Sequence, residues 1–286
     1  MNIIEMVKLY FILMCKESIF EPHCSPALYE CSLILKDTYR AKIMTHKTKG
    51  IVLRTIKYGE TSLVVTMFTE LFGVQTYMVN GVRTAKSKTS KANYFLPGAI
   101  LDMLVYHYAQ KSMQRIKEFG WAVLFRQVLS DVIKNSIALY MVELLQKCLK
   151  QPEQHTALFY FCEDALLQLD DAGKTVTANF PLYFSLHLAQ FFGFRMADDY
   201  DDEHTVLDLQ EGSFIQGQPG HTNYIDGQSA SLTAHLLKVM QPAELNDVKL
   251  HHDMRRKLLL KYMDYYTLHV PEFGTMKTLT VLHEVL

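Results

Sequence analysis

The chain has 286 residues, 29 Lys/Arg against 30 Asp/Glu, a net charge of −1, and 49% hydrophobic and 21% charged residues. These values exclude a disordered or collagen-like chain and leave room for two domains with a substantial core. The five cysteines are odd in number and form no C-x-x-C pair, which excludes a disulfide framework or zinc ribbon and fits a cytoplasmic protein.

Residues 1–43 read differently from the rest. Ile3 to Met14 is apolar but short, and Glu5 and Lys8 interrupt it. It falls below the ~20 apolar residues of a spanning helix and lacks the basic start and cleavage site of a secretory signal. The expectation is an extra N-terminal segment with Met44 as the true start. A surface-docked arm is the alternative.

Residues 44–124 carry strand patterning. Gly50–Ile56 and Ser62–Thr69 are rich in branched residues and separated by a turn at Lys57–Glu60. A third strand, Val74–Val82, alternates Val74, Thr76, Met78 and Asn80 against Gln75, Tyr77 and Val79. Ala99–Tyr108 and Met113–Phe119 supply two more, with helix beginning near Trp121. Five short strands in about 75 residues predict a small closed barrel, of which the OB-fold is the common five-stranded form.

Charge is concentrated here. From Lys47 to Phe125 there are eleven Lys/Arg and four acids, so the remainder is net acidic. The segment leaving the third strand holds Arg83, Lys86, Lys88 and Lys91 and no acid. Such a basic loop suits a polyanion, because Lys and Arg release counterions from phosphates without choosing sequence. The predicted nucleic-acid contacts are therefore Lys49, Arg54, Lys57, Arg83, Lys86, Lys88 and Lys91. Among the aromatics that could stack on bases (Tyr58, Phe68, Phe72, Tyr77, Tyr106 and Tyr108), Tyr77 is the one placed in the predicted site. Gly81–Ser87 lacks the second glycine of a mononucleotide phosphate loop.

From Phe125 the hydrophobic period becomes 3.6. Helices are predicted from Phe125 to Leu149, Glu153 to Leu169, Phe180 to Phe194 (opened near Pro181), Ser229 to Met240 (capped by Ser229), Asp253 to His269, and Met276 to the end. Residues 195–227 form an irregular acidic insert with a short hairpin around Gln210-Glu211-Gly212. Its run Asp198, Asp199, Asp201, Asp202 and Glu203 could serve metal-dependent chemistry, but reads more simply as a solvated loop. No histidine–cysteine spacing fits zinc, and neither a metal nor a cofactor is expected. The overall expectation is an α+β chain, a five-stranded OB-fold barrel followed by an all-helical domain at 125–286.

Several motifs occur in a fixed order. K-x-x-x-I-V-L-x-x-x-x-Y-G-E spans Lys47–Glu60, F-T-E-x-x-G spans Phe68–Gly73, and G-V-R-x-x-K-S spans Gly81–Ser87. Gly193-Phe194-Arg195 follows the central helix, Tyr265-Tyr266-Thr267-Leu268-His269 precedes Phe273-Gly274, and the chain ends V-L-H-E-V-L. From Met44 onward this order resembles the bacterial recombination mediator family RecO. The resemblance implies binding of single- and double-stranded DNA, strand annealing, and cooperation with RecR in loading RecA onto DNA coated by single-strand-binding protein (SSB). It further implies a nucleoid-associated, non-enzymatic protein whose helical domain binds the acidic SSB tail. Arg126, Lys134, Arg255 and Arg256 are the candidates for that contact. Many members carry a four-cysteine zinc site where residues 195–227 here have no cysteine, so no zinc is predicted. The rival readings are a metal-dependent DNA-processing enzyme using Asp198–Glu203 and a pure protein-interaction adaptor.

Overall fold

A computed structural model describes residues 45–83 and 91–285. The expectations for the leader 1–43 and for Lys86 and Lys88 lie outside the described residues.

Five strands close a barrel in the order β1-β2-β3-β5-β4: β1 Thr45–Tyr58, β2 Ser62–Thr69, β3 Gly73–Val79, β4 Ile100–Tyr106 and β5 Gln114–Trp121. β1 is long because it serves two neighbours. Its first half pairs with β4 and its second half with β2. The changeover is at Gly50, where a Cβ would sit 2.5 Å from Met103 Cε and 3.0 Å from Met67 Cε. Glycine leaves room there for the two Met side chains, which would have to shift to admit a Cβ. Closure is parallel, through Tyr77↔Gln114 and Met78↔Arg115.

Alternation sorts the side chains between the two faces of the sheet. Val52, Leu63, Val65, Met67, Tyr77, Leu101 and Met103 fill the interior. A single 3₁₀ turn, Lys91–Phe95, plugs the barrel with Phe95, whose carbonyl accepts from the Thr55 hydroxyl at 2.7 Å.

Six α-helices follow among the described residues: α1 Val132–Cys148, α2 Thr156–Asp171, α3 Lys174–Ala189, α4 Gly227–Leu237, α5 His252–His269 and α6 Thr278–Val285. α3 is the central one: from Asn179 to Ala189 every residue but His187 is buried. It starts six residues before the predicted Phe180 and runs through Pro181. The interior proline costs about 3 kcal/mol. Burying Phe180, Leu182, Tyr183 and Phe184 at roughly 1.5–3 kcal/mol each outweighs it.

The predicted helical start near Trp121–Phe125 is corrected. Residues 122–131 form a connection, pinned by Asp170 at the end of α2. Its carboxylate accepts the backbone N–H groups of Arg126, Gln127 and Val128 at 2.8, 2.8 and 2.7 Å. Burial would raise the Asp170 pKa, but these bonds and the Lys134 charge outweigh it and hold the carboxyl below its ordinary range. Asp131 then caps α1 by accepting from Lys134 N–H. Ser229 is corrected too. It is buried within α4, its hydroxyl against Met254 Sδ at 3.6 Å, and the cap position is Asp226.

The insert 195–227 is ordered by packing. β6 Val206–Asp208 pairs with β7 Ser213–Ile215 and β8 Tyr224–Ile225. Leu207, Leu209, Phe214 and Ile225 join the helical core. His269 Nε2 meets Leu209 O at 2.9 Å, and Gly212 lies so close to Tyr265 that a Cβ would sit 2.6 Å from its hydroxyl.

Candidate nucleic-acid interface

The outer face of β1–β2–β3 is divided by the helical domain. The row Ile51–Phe68–Val74 is covered, with Phe68 and Phe159 of α2 packed at 5.6 Å between ring centroids. Beyond it the same face is open. Arg54, Thr66 and Thr76 form the next row across the strands, then Ile56, Val64, Met78 and Arg115, then Tyr58 and Ser62. Arg54 and Arg115 are exposed, and Ile56 and Tyr58 are 46% and 56% exposed. The result is a strip of apolar and aromatic surface with a guanidinium on its outer strands. Such a strip can hold phosphates at its edges and lay bases on its middle.

The Arg83 end of the basic segment borders this strip. Val82 is buried in the barrel, and Arg83 is tied to the β1–β2 turn by its N–H to Thr61 O and by Nη1 to Gly59 O, both 3.1 Å. Lys91 is exposed at the start of the 3₁₀ turn. Lys57 is exposed at the β1–β2 turn end of β1. Lys57 and Arg83 are therefore both at the β1–β2 turn, with Arg54 further back along the same strand.

Two predicted contacts are corrected. Tyr77 is 0% exposed, its ring inside the barrel and its hydroxyl pKa pushed well up by burial, so it offers no face to a base. Lys49 turns toward the helical domain and pairs with Glu163 of α2 at 2.8 Å. The hydrogen bond to Glu163 raises the Lys49 pKa despite burial. Conversely, Ile56, Tyr58, Met78 and Arg115 join the strip, and among these Tyr58 and Arg115 carry chemistry that the predicted site omitted. β alternation from Arg54 onward placed Ile56 and Tyr58 on its face. Arg115 depended on the parallel closure, which leaves no local signal.

The interdomain contact is built from the F-T-E-x-x-G motif. Gly73 has φ +61°, and a Cβ there would sit 2.0 Å from Glu153 O. Tyr160 donates its hydroxyl to Glu70, and Gln154 Nε2 donates to Glu70 O at 3.3 Å.

The residues predicted for an acidic tail scatter. Lys134 is 5% exposed and donates Nζ to Asp170 O at 2.6 Å, so its charge is already used. Arg255 is half-buried, donates Nη1 to Leu250 O at 2.6 Å, and has its pKa lowered by burial. Arg256 faces another surface beside Lys257 and Leu260. Arg126 remains exposed. A cavity of about 300 Å³ between α2, α3 and the end of α4 combines Phe161, Tyr183, Leu186, His187, Met240 and Arg195. Burial lowers the His187 pKa, and its Nε2 meets Val239 O at 2.8 Å.

Two carboxylates of the acidic run serve local geometry. Asp199 accepts from Phe214 N–H at 3.0 Å, and Asp201 accepts from Glu203 and His204 N–H and meets His204 Nδ1 at 2.9 Å. Among the described residues no group of three or more His, Cys, Asp or Glu is placed to hold a metal ion. No helix among them is long and apolar enough to cross a membrane.

Comparison with known proteins converges with this architecture. The family model "Recombination protein O N terminal" matches residues 44–125, and "Recombination protein O C terminal" matches 129–278. Similar curated proteins include the DNA repair protein RecO of Flavobacterium psychrophilum, 34% identical over 250 residues, and that of Bacteroides fragilis, 31% over 245. That of Azobacteroides pseudotrichonymphae is 30% identical over 242 residues. Each alignment covers 85% of this chain and 99% of the relative. With a closed five-stranded barrel, a helical region behind it and both halves matched in order, the chain belongs to the RecO family of DNA repair proteins.

Proposed function

We propose that this protein is a non-enzymatic recombination mediator that binds DNA on the open strip of its barrel. The strip from Arg54 through Ile56, Tyr58 and Met78 to Arg115, with Arg83 held at the β1–β2 turn, carries this reading. Phosphates meet guanidinium and ammonium groups, and bases meet Tyr58 and the apolar row. Neither contact distinguishes sequences. Charge neutralisation lets two strands approach for annealing, or holds one strand while SSB is displaced. RecR and RecA loading enter as the partners that the family implies, with action in the cytoplasm at the nucleoid.

The acidic tail of SSB is assigned to the cavity between α2, α3 and α4. There Arg195 stands beside Phe161, Tyr183 and Met240, a pairing of cation and apolar wall suited to an acidic, hydrophobic peptide. Annealing of complementary SSB-coated oligonucleotides, with and without RecR, tests the whole reading. Acceleration that disappears with Arg54→Ala/Arg115→Ala is expected. Magnesium-dependent cleavage of the oligonucleotide would instead establish a processing enzyme.

A further inference from the structure

The loop between β4 and β5, residues 107–113, borders the strip at the end away from the β1–β2 turn. It is organised by Gln114, which is 2% exposed. Gln114 Oε1 accepts from Tyr108 N–H at 3.0 Å, and Nε2 donates to Tyr108 O and Lys111 O, both at 2.8 Å. Lys111 N–H also donates to Tyr108 O at 3.0 Å. Both ends of one buried amide are thus satisfied by the loop it shapes.

The preceding residue, His107, stacks on Phe72 at 3.9 Å with planes 12° apart. Within the loop, Lys111 Nζ lies 4.4 Å from the Tyr108 ring centre, a cation–π distance. Among the described residues no carboxylate is within ion-pair distance of Lys111. Arg115, the next residue after Gln114, faces the open strip.

We propose that Gln114 is a positioning residue for nucleic-acid binding: it fixes Lys111 and Tyr108 as a preformed phosphate clamp at this end of the barrel strip. Preorganisation means the lysine is ordered during folding rather than on binding, so its phosphate contact loses less to side-chain entropy. The buried amide never touches DNA. It acts through the loop. The proposal rests on the reading of the strip as the DNA interface.

The test is a double-mutant cycle read by fluorescence anisotropy with a labelled oligothymidylate at several salt concentrations. Gln114→Leu keeps the volume and removes the three hydrogen bonds. It is expected to weaken binding about threefold to tenfold and to reduce the log–log salt slope by about as much as Lys111→Ala, roughly 0.7 for one phosphate contact on a single strand. The double variant should bind no more weakly than Lys111→Ala alone. Losses that multiply, or wild-type binding by a folded Gln114→Leu protein, would overturn the proposal. If Lys111→Ala matters while Arg54→Ala/Arg115→Ala binds as wild type, the strip reading itself falls, and the proposal with it. Should Gln114→Leu not fold, amide exchange in the wild type decides. Slow exchange at Tyr108 N–H is expected, and exchange as fast as in an unstructured loop contradicts a preformed clamp.

Discussion

Lys49 and Glu163, 114 positions apart in sequence, form a 2.8 Å ion pair that joins the barrel to helix α2. The carboxylate side is 8% exposed and the lysine side 36%. The pair is therefore an interdomain fastener. Lys49→Met should destabilise the protein by about 1–2 kcal/mol. That is less than a fully buried pair would lose, because water still reaches the ammonium. Urea denaturation measures the loss, and oligonucleotide binding by the folded variant should keep the wild-type salt slope.

Gly73 and Gly59 provide a controlled comparison. Both have positive φ, +61° and +57°, but only Gly73 faces a neighbour, the Glu153 carbonyl, while Gly59 has nothing within 4 Å of an added Cβ. Gly59→Ala should cost roughly 1–2 kcal/mol, the left-handed backbone penalty alone. Gly73→Ala adds a clash between the barrel and the helical domain and should exceed about 3 kcal/mol. Thermal unfolding of both variants checks the ordering.

Asp170 predicts a pH signature. Its folded pKa lies below the unfolded carboxylate value of about 3.9. Its stabilisation is thus fully present above that value and is lost as pH falls through the folded pKa. Asp170→Asn should cost about 2–3 kcal/mol at pH 7, since three N–H groups lose a charged acceptor. The gap between wild type and variant should narrow as pH is lowered below 4, followed by chemical denaturation at each pH.

Tyr77 and Tyr58 should respond oppositely. Tyr77→Phe leaves DNA binding unchanged, because the ring is inside the barrel and its hydroxyl is buried with it. Tyr58→Ala should weaken single-strand binding by about 1–3 kcal/mol if a base stacks there. Titration of both variants with one oligonucleotide distinguishes them.

The barrel was legible in the sequence because period-two alternation reports which side chain faces inward. Ser62–Thr69 matches β2 to the residue, and Val74, Thr76 and Met78 share the predicted face. The same alternation grouped Tyr77 with Gln75 and Val79, which proves to be the inward face, while its aromatic character placed it in the predicted site. Lys49 was not legible, since a lysine on a strand looks alike whether it meets water or a glutamate on a distant helix. The connection 122–131 reads as helix because most of its apolar residues pack inward, yet the Asp170 carboxylate holds its N–H groups in a non-helical path. Arg115 and the Gln114 loop depend on strand closure between β3 and β5, a relationship that no local pattern encodes.

The central claim is that DNA lies across the barrel strip and is held by its backbone. The most direct measurement is the salt dependence of single-strand binding by wild type and by Arg54→Ala/Arg115→Ala, both folded. The account predicts weaker binding and a slope reduced by about 1.4, two phosphate contacts at roughly 0.7 each. An unchanged affinity and slope would contradict it.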